Sequence, residues 1–313
     1  MNYILLILGF ILLVVGGEYL VRSSVALSFK FKLSKMMIGL TVVSFATSAP
    51  ELLVSIQAAF DDFSDVSLGN VIGSNIANIG LVLGLSSMLT VIAVEKDFYR
   101  VNWPMMLFMS GLLYLFLWTD LELSRWEGVI FLILIVSYVI YLLNNSRITP
   151  IPEEADESLK KTSNFKVLIW LVIGSAALYF GSEWLVDGAV GLSEKFGISQ
   201  RIISVSIIAV GTSVPELAAS IISIIKGEKA ISLGNLIGSN IFNIASVLGI
   251  TAILKPIAVE STKILSNDLI WMIGIAAVTL PLALIKPKNQ FTRWNGFILF
   301  LGFIIFNILA YYE

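Results

Sequence analysis

The 313-residue chain is 57% hydrophobic and 13% charged, with mean hydropathy +0.91 and formal net charge −2. A soluble domain carries about 25% charged residues, so an ordinary water-soluble fold is excluded. There is no cysteine and no histidine, which excludes disulfides, thiolate or imidazole metal sites and serine–histidine hydrolysis.

A membrane-spanning helix needs about 20 mostly apolar residues, and the chain supplies that length repeatedly. Continuous apolar runs argue against a β-barrel, whose strands alternate over about 10 residues. The expectation is an all-α polytopic membrane protein with ten transmembrane helices. In chain order they cover 3–21, 36–60, 66–92, 102–118, 127–143, 166–187, 199–225, 231–254, 267–285 and 295–312. The N-terminus lacks a basic n-region, and its apolar run is long enough to be a first span, so no cleavable signal is expected. Trp103, Trp118, Trp126, Trp184 and Trp294 sit near span ends, as interfacial anchors do.

Span one carries Glu18 near its end. Span two contains Thr47-Ser48-Ala49-Pro50-Glu51. Pro50 has no N–H, so the carbonyl of Ala46 loses its helical partner, and the residue before proline is pushed out of helical torsions. A break near 46–50 follows. Freed carbonyls at bilayer depth are tolerated where they line a polar cavity. A carboxylate at a helix centre costs about 2.5–3.5 kcal/mol on insertion scales, so Glu51 needs a compensating partner. No basic residue lies near it in the span, which points to a mobile cation or a proton. Asp61, Asp62 and Asp65 follow in the next connection, as a solvated loop or a cation entrance.

Span three brings Ser74 and Asn78 onto one face, with Asn70 extending that stripe one turn earlier, as Asn235 does for Ser239 and Asn243 in the second half. Gly69, Gly73, Gly80 and Gly84 form a small-residue face that lets helix backbones approach. Residues 144–164 are the one polar break, with Pro150, Pro152 and an acidic run over 153–157. This segment reads as a solvated linker, too short for a folded regulatory domain.

The remaining half repeats the first. Glu51 and Glu216, Ser74 and Ser239, and Asn78 and Asn243 are each 165 residues apart. Of the 14 aligned positions in 67–80 and 232–245, 11 are identical. Thr212-Ser213-Val214-Pro215-Glu216 echoes the first motif, with Pro215 freeing the carbonyl of Gly211. The division is therefore 1–143 as a first five-helix repeat with its motif at 44–78, 144–164 as the linker, and 165–313 as a second repeat with its motif at 209–243. Five spans per repeat send the second copy in from the opposite side, an inverted arrangement frequent in secondary transporters. Fifteen Lys and Arg fall in connections on one side and five on the other. That bias puts both termini outside and the linker in the cytoplasm.

Two carboxylates, hydroxyls, amides and freed carbonyls make an all-oxygen set suited to a hard cation such as Ca²⁺. With the divalent ion gone, the same carboxylates attract Na⁺ or protons, and that competition yields exchange.

On these motifs the chain resembles the calcium/cation antiporter superfamily, specifically its prokaryotic sodium/calcium exchanger branch. The resemblance covers nearly the whole chain. It implies a core of spans two, three, seven and eight holding four cation sites, with long helices one and six sliding across it. Matched residue by residue, it makes Glu51 and Glu216 the central Ca²⁺ and Na⁺ ligands, with oxygen from Thr47 and Thr212. Asn78 and Asn243 match the central polar position. Ser48, Ser213, Ser74 and Ser239 match flanking Na⁺ sites, as do the backbone carbonyls of Ser44 and Ala209.

Related exchangers often carry aspartate at one of the two central polar positions. Here both are asparagine, which leaves two formal charges rather than three. Exchange of Ca²⁺ for H⁺, or K⁺-dependent exchange, stays open beside Na⁺/Ca²⁺ antiport, and an uncoupled channel is the less favoured rival. No enzyme activity, cofactor, nucleic-acid contact or obligate protein partner is expected. The partners are the lipid bilayer of the cell membrane and the transported Ca²⁺ and Na⁺, with H⁺ or K⁺ as the alternatives.

Overall fold

The computed structural model describes residues 2–145, 157–196 and 209–312. In chain order the helices are α1 (Asn2–Phe31), α2 (Lys35–Thr47), α3 (Ala49–Phe60), α4 (Ser64–Leu89), α5 (Phe98–Asp120) and α6 (Arg125–Asn145). They continue with α7 (Glu157–Lys160), α8 (Asn164–Lys195), α9 (Ala209–Gly211), α10 (Val214–Ile225), α11 (Lys229–Leu254), α12 (Ile264–Leu284) and α13 (Arg293–Tyr312). Among the described residues eight helices are long and apolar enough to cross a membrane, or nine when α2 and α3 count as one interrupted span. The shorter apolar α10 belongs to the predicted span 199–225, whose first residues lie outside the described set.

The repeat is visible element by element. α3 and α10 start and end 165 residues apart, and so do α4's straight segment Ser64–Ala77 and α11's Lys229–Phe242. A π-helical turn then begins at Asn78 in one copy and Asn243 in the other, again 165 apart.

The chain forms two compact units, Met1–Thr47 with Val139–Leu236, and Ser48–Tyr138 with Ile237–Glu313. They do not follow the sequence halves, since each unit draws helices from both repeats. The chain leaves the first unit for the second within each motif, after Thr47 and after Leu236.

In the first unit α1 packs along α8. Small residues set the spacing: a Cβ on Gly9 would lie 2.7 Å from the nitrogen of Leu185, and one on Gly174 would lie 2.7 Å from the nitrogen of Leu20. Leu13, Leu20, Val21, Val25, Phe29, Leu178 and Ala219 form the core there. Two span ends differ from expectation, because α1 runs on to Phe31 rather than 21 and α8 to Lys195 rather than 187. Arg22 and Lys30, assigned by sequence to a connection, therefore lie in the helix. The cause is packing that continues after hydropathy falls. Ser23, Ser24, Val25, Ala26, Ser28 and Phe29 are all buried. Their hydroxyls are satisfied inside the helix, with Ser24 Oγ donating to the Leu20 carbonyl at 2.7 Å and Ser28 Oγ to that of Val25 at 2.7 Å. A 30-residue helix is about 45 Å long, well beyond the ~30 Å hydrocarbon core.

The linker is only partly described. Residues 146–156, with Pro150, Pro152 and most of the acidic run, lie outside the described residues. From Glu157 onward it is not simply solvated: α7 packs on α1, and Leu159 sits against the unit's apolar core.

In the second unit two short antiparallel pairs close the ends of the helices. β1 (Ile92–Ala93) pairs with β4 (Gln290–Phe291), and β2 (Glu122–Leu123) pairs with β3 (Ile257–Ala258). β1 and β3 are repeat equivalents, as are β2 and β4, so each pair joins one strand from each copy and maps onto the other when the copies exchange. The close glycine contacts follow the same rule. A Cβ on Gly296 would meet the Gly84 carbonyl at 2.5 Å, and one on Gly128 would meet that of Gly249 at 2.6 Å. This exchange is what a two-fold relation between the repeats produces.

Candidate cation-binding site

The helix break falls where Pro50 requires it. Ser48 leaves helical torsions at φ −82°, ψ 4°, and α3 restarts with Pro50 in its first turn. Ser213 has φ −87°, ψ 2°, and α10 restarts with Pro215. Glu51 and Glu216 occupy the first turns of these new helices, each with 0% of its surface exposed. Unsatisfied N–H groups gather at a helix N-terminus and favour negative charge. The break thus puts each carboxyl where the backbone field offsets part of its burial cost. Ser48 and Ser213 are buried too, and their hydroxyls have no hydrogen-bond partner among the described residues. Buried polar atoms are rarely left so. Thr47 is buried, whereas its repeat mate Thr212 is half-buried.

In the second unit α3 packs on α4 and on the π-helical turn of α11, so the helix carrying Glu51 lies against the segment opened by Asn243. Asn70 ties α3 to α4, donating to the Glu51 carbonyl at 3.2 Å and to Ser55 Oγ at 2.9 Å. Asn78 and Asn243 are fully buried, each as the first residue of a π-helical turn. Such turns insert an extra residue and recur at functional sites. Neither side-chain atom of Asn78 has a hydrogen-bond partner among the described residues, nor does Oδ1 of Asn243. Ser74 and Ser239 are buried on the same helices.

In the first unit the same logic centres on Asn235. Thr47 Oγ1 donates to Asn235 Oδ1 at 3.2 Å, and Ser44 Oγ donates to the Asn235 carbonyl at 2.9 Å. Asn235 Nδ2 donates to Ser220 Oγ at 3.3 Å, the repeat counterpart of Asn70 on Ser55. Ala209 opens the short α9.

In the sequence Asn70 and Asn235 stand out only as an extension of a polar stripe, and Ser55 and Ser220 do not stand out at all. Their 165-residue offset, in register with the glutamates one turn earlier, was the available signal.

Other acidic residues are engaged elsewhere. Glu18 pairs with Arg22 at 2.6 Å and with Lys226 at 2.7 Å, beside a cavity of about 470 Å³ also lined by Leu159, Thr162, Lys166, Trp170 and Glu228. Asp61 accepts from Gln57 at 2.7 Å, Asp62 pairs with Lys255 at 2.6 Å, and Asp65 accepts from the Glu260 backbone N–H at 2.9 Å. These three bind neighbouring chain as well as facing solvent.

The site residues thus offer carboxyl, hydroxyl and amide oxygens and no soft donor. Such a set takes hard cations in flexible coordination.

Comparison with known proteins agrees with this chemistry. The family model described as sodium/calcium exchanger protein matches residues 1–144 and 166–312. A protein named CaxA from Alkalimonas amylolytica is 36% identical over 98% of each chain. The sodium/calcium exchanger MaX1 of Methanosarcina acetivorans is 30% identical over 99% of each. The solved sodium-calcium exchanger NCX_Mj, soaked with 2.5 mM Na⁺ and 0.1 mM Ca²⁺, superimposes with a TM-score of 0.81 at 30% identity, covering 97% of this chain and 96% of that one. With a family match across both repeats and full-length relatives of this kind, the chain belongs to the sodium/calcium exchanger family.

Proposed function

We propose that the protein is a secondary antiporter that exchanges Na⁺ for Ca²⁺ by alternating access, with Glu51 and Glu216 both ligating the transported cations. The observation that carries this reading is a fully buried carboxyl at the first turn after the helix break in each repeat. Thr47, Thr212, Asn78 and Asn243 complete the central oxygen set. Ser48, Ser74, Ser213 and Ser239, with the carbonyls of Ser44 and Ala209, serve flanking Na⁺.

The charge count explains why exchange rather than leak results. Two carboxylates balance one Ca²⁺ or two Na⁺. Stripped of cations, they are two buried charges without their compensating ions, and moving that state through the low-dielectric barrier is costly. Reorientation is therefore coupled to a filled site. An exchange of three Na⁺ for one Ca²⁺ moves one net charge, worth about 2.3 kcal/mol per 100 mV. Asparagine at both 78 and 243 keeps proton- or potassium-coupled exchange as the second reading, since the fixed charge is lower.

In proteoliposomes loaded with Na⁺, dilution into Na⁺-free medium is expected to drive radioactive calcium uptake. Uptake driven by a pH gradient alone would transfer the assignment to a proton exchanger. Dependence on K⁺ in addition to Na⁺ would make it the potassium-dependent form. Flux that neither saturates nor needs the opposing ion would make it a channel.

We place both termini outside the cell membrane and the 144–164 linker in the cytoplasm, from the fifteen-to-five distribution of Lys and Arg. The cysteine-free chain makes the test direct. In right-side-out vesicles, Asp120→Cys is expected to react with an impermeant maleimide, whereas Lys96→Cys reacts only after permeabilisation. Both positions are exposed. The reverse labelling pattern would invert the topology.

A further inference from the structure

The two central asparagines are not equivalent, and the cause is a residue outside the proposed ligand set. Asn75 is 1% exposed and lies one turn before Asn78. Its Nδ2 donates to the main-chain carbonyl of Asn240 at 3.2 Å and faces the thioether of Met272 at 3.6 Å. Both groups can only accept. They therefore fix which end of the Asn75 amide faces them, and Oδ1 must point the other way. Oδ1 accepts from Asn243 Nδ2 at 3.1 Å. An amide oxygen can accept only from a donor, so Asn243 turns its nitrogen toward Asn75. Its own Oδ1 faces away, buried and without a hydrogen-bond partner among the described residues. A backbone carbonyl thus sets the orientation of a side-chain oxygen two amides away. Asn78 carries no such constraint, since neither of its side-chain atoms is held by a neighbour among the described residues.

We infer that Asn75 is a positioning residue that presents the Asn243 carbonyl oxygen, rather than its amide nitrogen, to the transported cation. The inference rests on Asn243 being a cation ligand, as proposed above. An N–H aimed at a cation is repulsive, so an unheld amide needs reorienting each time an ion arrives. The arrangement also favours asparagine over aspartate at 243. An ionised carboxylate there would set an oxygen against Asn75 Oδ1, acceptor against acceptor. The neutral amide at 243 is therefore matched to its neighbour at 75.

Removing a partner that orients a metal ligand typically costs 10–100-fold in affinity. In proteoliposomes, Asn75→Leu is expected to raise the KM for Ca²⁺ about tenfold, with kcat changed much less. The decisive readout is a double-mutant cycle with Asn243→Ala. If Asn75 acts through Asn243, adding Asn75→Leu to Asn243→Ala shifts KM no further. Full additivity of the two effects would overturn the inference, as would a wild-type KM in Asn75→Leu. Should Asn75→Leu not yield a monodisperse protein, Asn75→Ser runs the same cycle with a smaller side chain that cannot span both partners. Absence of ion-driven calcium uptake in the wild type would instead defeat the antiport reading, and so the two failures are distinguishable.

Discussion

Glu51→Gln and Glu216→Gln are each expected to lower gradient-driven calcium uptake at least about 100-fold. A unit charge about 4 Å from another is worth about 4 kcal/mol at an effective dielectric of 20, and each 1.4 kcal/mol is tenfold. On the proposed ligation by both carboxylates, losing one therefore exceeds two orders of magnitude. Glutamine keeps the size and a carbonyl oxygen, so the buried first turns of α3 and α10 retain their packing. The variants should insert normally and elute as the wild type does, and this separates lost transport from lost fold. Calcium flux preserved in both variants would remove these residues from the site. Flux lost in only one would mean that the repeats do not contribute equally.

Asn243→Ala and Asn78→Ala should be milder, because an amide oxygen supplies no charge. That ordering, glutamates far above asparagines, is itself a check on the electrostatic argument. A site organised by shape alone would not rank the two residue types this way.

The features legible in the sequence were those written in composition and spacing. Pro50 and Pro215 dictate the breaks because a missing N–H and a steric clash act locally. The 165-residue echo exposed the two copies, and the strand exchange of β1 with β4 and of β2 with β3 matches it. Hydropathy ended the first span at residue 21 because serines follow, yet the helix runs to Phe31 on hydroxyls bonded back to its own carbonyls. The π-helical turns at Asn78 and Asn243 left no sequence signal, because an extra residue per turn changes no composition. Asn75 is inconspicuous for a related reason: it falls outside the four-residue spacing of Asn70, Ser74 and Asn78, three before Asn78 on the edge of that face. Its role depends on a carbonyl and a thioether brought from elsewhere in the chain. Which helices form a compact unit was also illegible, because hydrophobic pattern marks a lipid-compatible surface without naming its neighbour.

Gly234→Ala is expected to destabilise the protein strongly although alanine is the better helix former. A Cβ at 234 would collide with the Met36 carbonyl and lie 3.0 Å from the Leu40 nitrogen, and the reciprocal Cβ on Gly39 would lie 2.5 Å from the Ile231 carbonyl. All of these are backbone atoms, so no side-chain rotamer relieves the clash. α2 and α11 would have to move apart, and inserting even one methyl into such packing costs about 1–3 kcal/mol or more. The close approach is also what lets Ser44 reach the Asn235 carbonyl and Thr47 reach its Oδ1. Separation by an ångström would stretch both bonds beyond useful length. The variant should therefore show a lower melting temperature in detergent and reduced calcium uptake in whatever fraction reconstitutes. Gly111→Ala is the matched control. It lies in the exposed interior of α5, where an added methyl would find no atom within 4 Å, and removing a helical glycine gains up to about 1 kcal/mol. Its melting temperature should equal or exceed that of the wild type. Equal stability of Gly234→Ala and Gly111→Ala would show that the α2–α11 contact yields readily, and the hydrogen bonds converging on Asn235 would then need another source of rigidity.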